Sequence, residues 1–118
     1  MSQKIGQIAE EKAFVYLYGQ GLRLVVRNYN CSLGEIDLIM RDKSYLVFVE
    51  VRARAHTQFG GGIVSITNAK KQKIMKAASH FLTKNRLHEQ NPLRFDVISL
   101  DGHSGHITWL KDAFGVDY

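Results

Sequence analysis

The stretch Gly34 to Arg54, GEIDLIMRDKSYLVFVEVRAR, restricts the fold more than any other part of the chain. Two runs of β-forming residues flank the short polar break Asp42-Lys43-Ser44, which is the pattern of a tight hairpin. Each run carries one acid among aliphatic residues: Asp37 in Ile36-Asp37-Leu38-Ile39, and Glu50 in Val47-Phe48-Val49-Glu50-Val51. Strands keep ionised carboxylates off their buried surface, because desolvating one without a partner is expensive. Two such acids close together invite a cation between them.

Register makes that idea concrete. Pairing Asp42 with Tyr45 across a two-residue turn sets Asp37 opposite Glu50 and Glu35 opposite Arg52. Side chains alternate along a strand, so Glu35, Asp37 and Ile39 are expected on one face, and Phe48, Glu50 and Arg52 on one face of the next strand. Opposed carboxylates repel unless a cation or a shared proton separates them. Hard oxygen ligands on a rigid strand pair suit Mg²⁺ or Mn²⁺. The same residues also read as a solvated sheet face, with a Glu35–Arg52 ion pair worth at most about 1 kcal/mol. Spacing alone leaves both readings open.

The rest of the chain supplies a setting. Residues 3–18 place Ile5, Ile8, Ala9, Ala13, Tyr16 and Leu17 at helical spacing, with Gly19 and Gly21 as a stop. On that helix Glu10 falls at the border of the apolar stripe, and Glu11 points further toward water. Residues 22–28, 34–41 and 45–54 read as three strands, and 55–62 (AHTQFGGG) as a loop. Thr67 can cap a second helix over 68–84 with Ile74, Ala77, Ala78, Phe81 and Leu82 inward. Residues 93–100 and 106–110 complete the strands. The order α-β-β-β-α-β-β predicts one α/β domain over residues 1–118, with a mixed central sheet flanked by helices.

Composition narrows the setting further. No apolar run approaches the roughly 20 residues that cross a bilayer. The first 21 residues lack the apolar stretch of a signal peptide. The lone Cys31 fits a reducing compartment, so the expected location is cytoplasmic. The net charge of +5 favours polyanionic partners such as nucleic acid. Lys70, Lys71 and Lys73 crowd the first turns of the second helix, where a phosphate would reverse their unfavourable interaction with the helix dipole, and Lys73, Lys76, His80 and Lys84 continue as one polar stripe. A plain solvated helix face accounts for such a run equally simply. Five histidines form no zinc pattern, no Walker lysine follows Gly60–Gly62, and no nucleophile elbow occurs. Arg94 and Asp96 read as a structural pair on one strand face; Trp109 and Tyr118 could stack on bases, with packing the simpler reading of single aromatics near a terminus.

The chain resembles the YraN-type endonuclease-like bacterial proteins, members of the PD-(D/E)-x-K nuclease superfamily and similar in their core to archaeal Holliday-junction resolvases. The resemblance rests on Gly6…Glu10…Ala13, Asn28-Tyr29, Gly34-Glu35-Ile36-Asp37-Leu38-Ile39, Phe48-Val49-Glu50-Val51-Arg52, Phe59-Gly60, Lys70-Lys71, Arg94-Phe95-Asp96-Val97 and Ala113-Phe114. It implies a restriction-endonuclease-like core and hydrolysis of DNA phosphodiester bonds, on branched or single-stranded DNA. It implies a metal held by Asp37, Glu50 and the main-chain carbonyl of Val51, with Glu10 in support and Glu35 nearby. Junction resolution would call for a homodimer, so that two strands are cut. The superfamily lysine position is Arg52 here. Arginine stays protonated and is a poor general base, although it can clamp a phosphate. A binding module without hydrolysis is therefore the competing expectation.

Overall fold

The computed structural model describes residues 3–54, 66–87 and 92–115. In chain order the elements are α1 (Gln3–Gly19), β1 (Arg23–Cys31), β2 (Gly34–Asp42), β3 (Tyr45–Arg54), α2 (Asn68–Lys84), β4 (Leu93–Asp101) and β5 (Ile107–Phe114). The five strands lie in the order β1-β2-β3-β4-β5. β3 and β4 run parallel and the other neighbours antiparallel, so the sheet is mixed. The expected 55–62 loop, with Phe59-Gly60, and Tyr118 lie outside the described residues. No helix among the described residues is long and apolar enough to cross a membrane.

The hairpin takes the register read from its turn. Asp42 pairs with Tyr45, and the ladder continues in step to Leu38 and Val49. Lys43 turns the corner with a positive φ of 58°. Beyond Leu38 and Val49 the two strands part company. β3 stays in register with β4 as far as Arg54 and Asp101, while Asp37 takes the Val51 N–H on its side chain instead of its backbone.

Each helix covers one face of the sheet. Ala9, Ala13 and Leu17 of α1 pack on Leu38, Met40, Val47, Val49, Ile98 and Leu100. Ile74, Ala77, Ala78 and Phe81 of α2 pack on Ile36, Ile39, Leu46, Phe48 and Phe95. The alternation Leu46/Phe48 against Val47/Val49 is the two-residue period of a strand buried on both faces. α2 can approach the start of β2 because position 34 is glycine: a Cβ there would lie 2.9 Å from the Lys73 carbonyl oxygen. Thr67 caps α2 as its sequence suggests, accepting a hydrogen bond from the Lys70 N–H at 3.1 Å.

Three expectations need correction. Strict alternation across Glu35–Ile39 fails, because Ile36 and Ile39 both face α2 although three residues apart; Val26 and Tyr29 do the same in β1. Both strands change phase at the level of Asn28 and Asp37, where Asn28 adopts a φ of 52°. Ile8 is 48% exposed rather than buried, since the α1 seam is centred on Ala9, Ala13 and Leu17. β5 runs on to Phe114 instead of stopping near 110. Asp112 takes a φ of 53°, its N–H is accepted by the Asp96 side chain at 2.9 Å, and Phe114 then stacks on Phe95.

Candidate metal and phosphate site

The parting of β2 from β3 leaves a gap into which both helices send side chains. Asp37 lies at its centre. One of its carboxylate oxygens, Oδ2, accepts the Val51 N–H at 2.8 Å. Its charge also acts on the carboxyls of Glu50 and Glu10 and raises both. Glu10 comes from the border of the α1 seam, where its spacing placed it, and Asn28 offers it a hydrogen bond. Glu35 is exposed, yet close enough for its charge to act on both Asp37 and Glu10.

Glu50 is 5% exposed and faces α2. Two cations approach its Oε2: Arg52 Nη1 at 3.5 Å from the same strand and Lys70 Nζ at 3.8 Å from the first turn of α2. Neither distance is a close ion pair, and both cations keep more than a third of their side-chain surface in solvent. Arg52 therefore pairs with Glu50 rather than with Glu35 across the strands. Of Lys70, Lys71, Lys73 and Lys76, only Lys70 reaches the acids. Lys71 lies over the Phe114 ring at 5.9 Å, while Lys73 and Lys76 are exposed.

The electrostatics follow from this crowding. Burial, then repulsion from Asp37, pushes the Glu50 carboxyl up to about 7 against the opposing pull of Lys70 and Arg52. Burial also raises Asp37, with the Val51 N–H and Lys70 working the other way. Glu10 is raised by burial and by the Asp37 charge. Four carboxylates thus face two cations, leaving two excess negative charges when all are ionised.

Such a donor set fits a hard divalent cation, which binds through one or two carboxylates and retains several waters. Among the described residues no three His, Cys, Asp or Glu side chains are arranged to wrap an ion unaided. Asp37 and Glu50 would be the side-chain ligands, with main-chain oxygen and water making up the rest. Two features escaped the sequence reading: Asn28 as a partner of Glu10, and the turning of Lys70 into the acid cluster. Asn28 had a signal, since asparagine tolerates a left-handed backbone. Lys70 had none, because its approach depends on where α2 crosses the sheet.

The profile of an uncharacterised protein family, UPF0102, matches residues 9–100, which span Glu10, Asp37, Glu50, Arg52 and Lys70. A UPF0102 protein of Legionella pneumophila is 60% identical over 97% of both chains. Relatives of the same description from Nitrosococcus oceani and Pseudomonas putida are each 48% identical, covering 95% and 94% of this chain and 92% and 93% of their own. With the profile covering most of the chain and these relatives nearly all of it, the protein belongs to the uncharacterised family UPF0102.

Proposed function

We propose that the protein is a metal-dependent nuclease-like hydrolase of DNA phosphodiester bonds, acting on branched or single-stranded DNA and related to the PD-(D/E)-x-K superfamily. The observation that carries this reading is the Asp37–Glu50 carboxyl pair at the parted end of β2 and β3, with Lys70 and Arg52 over Glu50. Carboxylates perturbed by burial and by a neighbouring charge are what an active site arranges, and they support this reading.

Asp37 and Glu50 would hold Mg²⁺ or Mn²⁺, with the Val51 main chain beside them. When bound, the cation supplies Lewis acidity toward a phosphoryl oxygen and lowers the pKa of a water. The Val51 N–H holds the Asp37 carboxylate in place. Arg52 remains protonated, so its task is to grip the scissile phosphate and stabilise its charge. Lys70 adds an ammonium on the α2 side of the same phosphate, at a helix N-terminus whose dipole favours anions. Glu10 orients solvent at the border of the site.

The test is cleavage of labelled branched, flapped and single-stranded DNA with Mg²⁺ or Mn²⁺. Asp37→Ala and Glu50→Ala are expected to abolish turnover while the protein stays folded; undiminished cleavage in both rules the assignment out. A second reading, a nucleic-acid-binding module without hydrolysis, is favoured by Arg52 standing where the superfamily has lysine. It predicts salt-sensitive DNA binding and no turnover with any divalent ion. Arg52→Lys separates the two: a gain of cleavage marks a weakened nuclease, and none in a folded variant marks a binder.

A further inference from the structure

A cavity of about 350 Å³, separate from the acid cluster, opens at the hairpin end of the sheet, where Lys43, Ser44 and Tyr45 meet Arg94, Trp109 and Lys111. It lies five residues along β2 from Asp37, about 17 Å away by strand rise. Its cations are of two kinds. Arg94 is committed, donating to Asp42 at 3.0 Å and to Asp96 through two nitrogens. Lys43 and Lys111 have no carboxylate partner among the described residues. Lys43 is carried out on the turn, and Lys111 is held over the Trp109 ring at 4.5 Å.

The aromatic rings are fixed as well. The Trp109 Nε1–H donates to Asp96 at 2.9 Å, and its ring meets Tyr16 edge-on. Tyr45 has the Arg94 guanidinium 5.4 Å from its ring centroid, yet is 41% exposed. Asp42, the one acid in the lining, is engaged by Arg94. The cavity therefore offers two ammonium groups without a carboxylate partner, one of them resting on the Trp109 ring, together with a hydroxyl and the exposed ring of Tyr45. That set matches one nucleotide unit: phosphate on Lys43 and Lys111, base against an aromatic ring. Base–aromatic stacking combined with backbone cations is the general chemistry of single-strand recognition.

The geometry points to this cavity as a nucleotide-binding site, distinct from the acid cluster and independent of whether that cluster hydrolyses anything. Trp109 is the only tryptophan of the chain, so its emission reports on the cavity directly. The experiment titrates the full chain with a short oligothymidylate and, in a second arm, with a mononucleotide, both in EDTA. Saturable change in Trp109 emission is expected, weakened at least tenfold in Lys43→Glu plus Lys111→Glu. Much tighter binding of the oligonucleotide identifies a strand as the ligand; comparable binding of the mononucleotide identifies a free nucleotide. No emission change with either overturns the site, as does a change untouched by the charge reversals. Equal response to dextran sulfate also overturns it, because the cavity would then recognise charge alone.

Discussion

Asp96 and Glu50 occupy neighbouring places on adjoining strands: Asp96 is paired with Val49, and Glu50 with Val97. Both are almost wholly buried. Alternation points Asp96 toward the α1 face and Glu50 toward α2. Their surroundings differ sharply. Asp96 Oδ1 accepts from Arg94 Nε and the Asp112 N–H, and Oδ2 accepts from Arg94 Nη2 and Trp109 Nε1. Glu50 has two loose cations and a neighbouring carboxyl that repels it. One carboxylate is completed by the fold and the other is left short. A fully satisfied buried charge ties elements together, here β2, β4 and β5. A short one retains affinity for whatever neutralises it.

The largest expected effect is at the completed centre. Asp96→Asn should lower unfolding stability by about 3–5 kcal/mol in urea titration, because it leaves Arg94 partly buried without its main counter-charge. A loss below about 1 kcal/mol would remove the distinction between the two centres.

The second effect reverses direction. Mg²⁺ or Mn²⁺ at a hundred times its Kd should raise the unfolding free energy of the native chain at pH 8 by about 2.7 kcal/mol, and its unfolding midpoint accordingly. Asp37→Asn should lose this shift and Asp96→Asn should keep it, provided the latter remains folded. Calorimetry of both variants against the native protein checks the claim.

The third concerns pH without metal. Glu50 has a folded pKa of about 7, above its ordinary value of 4.5, so the folded state binds the extra proton between them. Its contribution is most favourable below about 4.5 and is lost as pH rises through 7. The native chain should therefore be more stable near pH 5.5 than near pH 8, in the direction Asp37 and Glu10 also push. Glu50→Gln should flatten that slope and stabilise the metal-free protein at pH 8 by roughly 1–3 kcal/mol. Equal slopes in the two proteins would break the account of Glu50 as the uncompensated acid.

The sequence disclosed these two centres unequally, for physical reasons. The hairpin register was legible on the assumption of a two-residue turn, since a three-residue turn would have shifted every pair, and the ladder keeps it from Asp42 and Tyr45 to Leu38 and Val49. Glu10 was legible because helical periodicity places a border residue from local information alone. Arg94 and Asp96 were legible as a pair, being two apart on one strand. The rest of the Asp96 network was not: Asp112 reaches it by taking a left-handed backbone in a strand, and Trp109 by a pairing set by the whole sheet. The phase change at Asn28 and Asp37 was equally hidden, since alternation is the default and its failure requires both strands to yield together.

The smallest effect joins local capping to the short centre. Thr67 Oγ1 accepts from the backbone N–H of Lys70, the residue whose ammonium stands 3.8 Å from Glu50. Thr67→Ala removes that cap and should cost about 1 kcal/mol, whereas Thr67→Ser should cost much less. Loosening the first turn of α2 also withdraws part of the positive charge that restrains Glu50. Its carboxyl should then titrate at higher pH, and the midpoint of the pH–stability curve should move upward with it. The serine variant should leave that midpoint in place. A pH midpoint unchanged by Thr67→Ala, together with the expected loss of stability, would confine the cap to α2 and detach Lys70 from the electrostatics of Glu50.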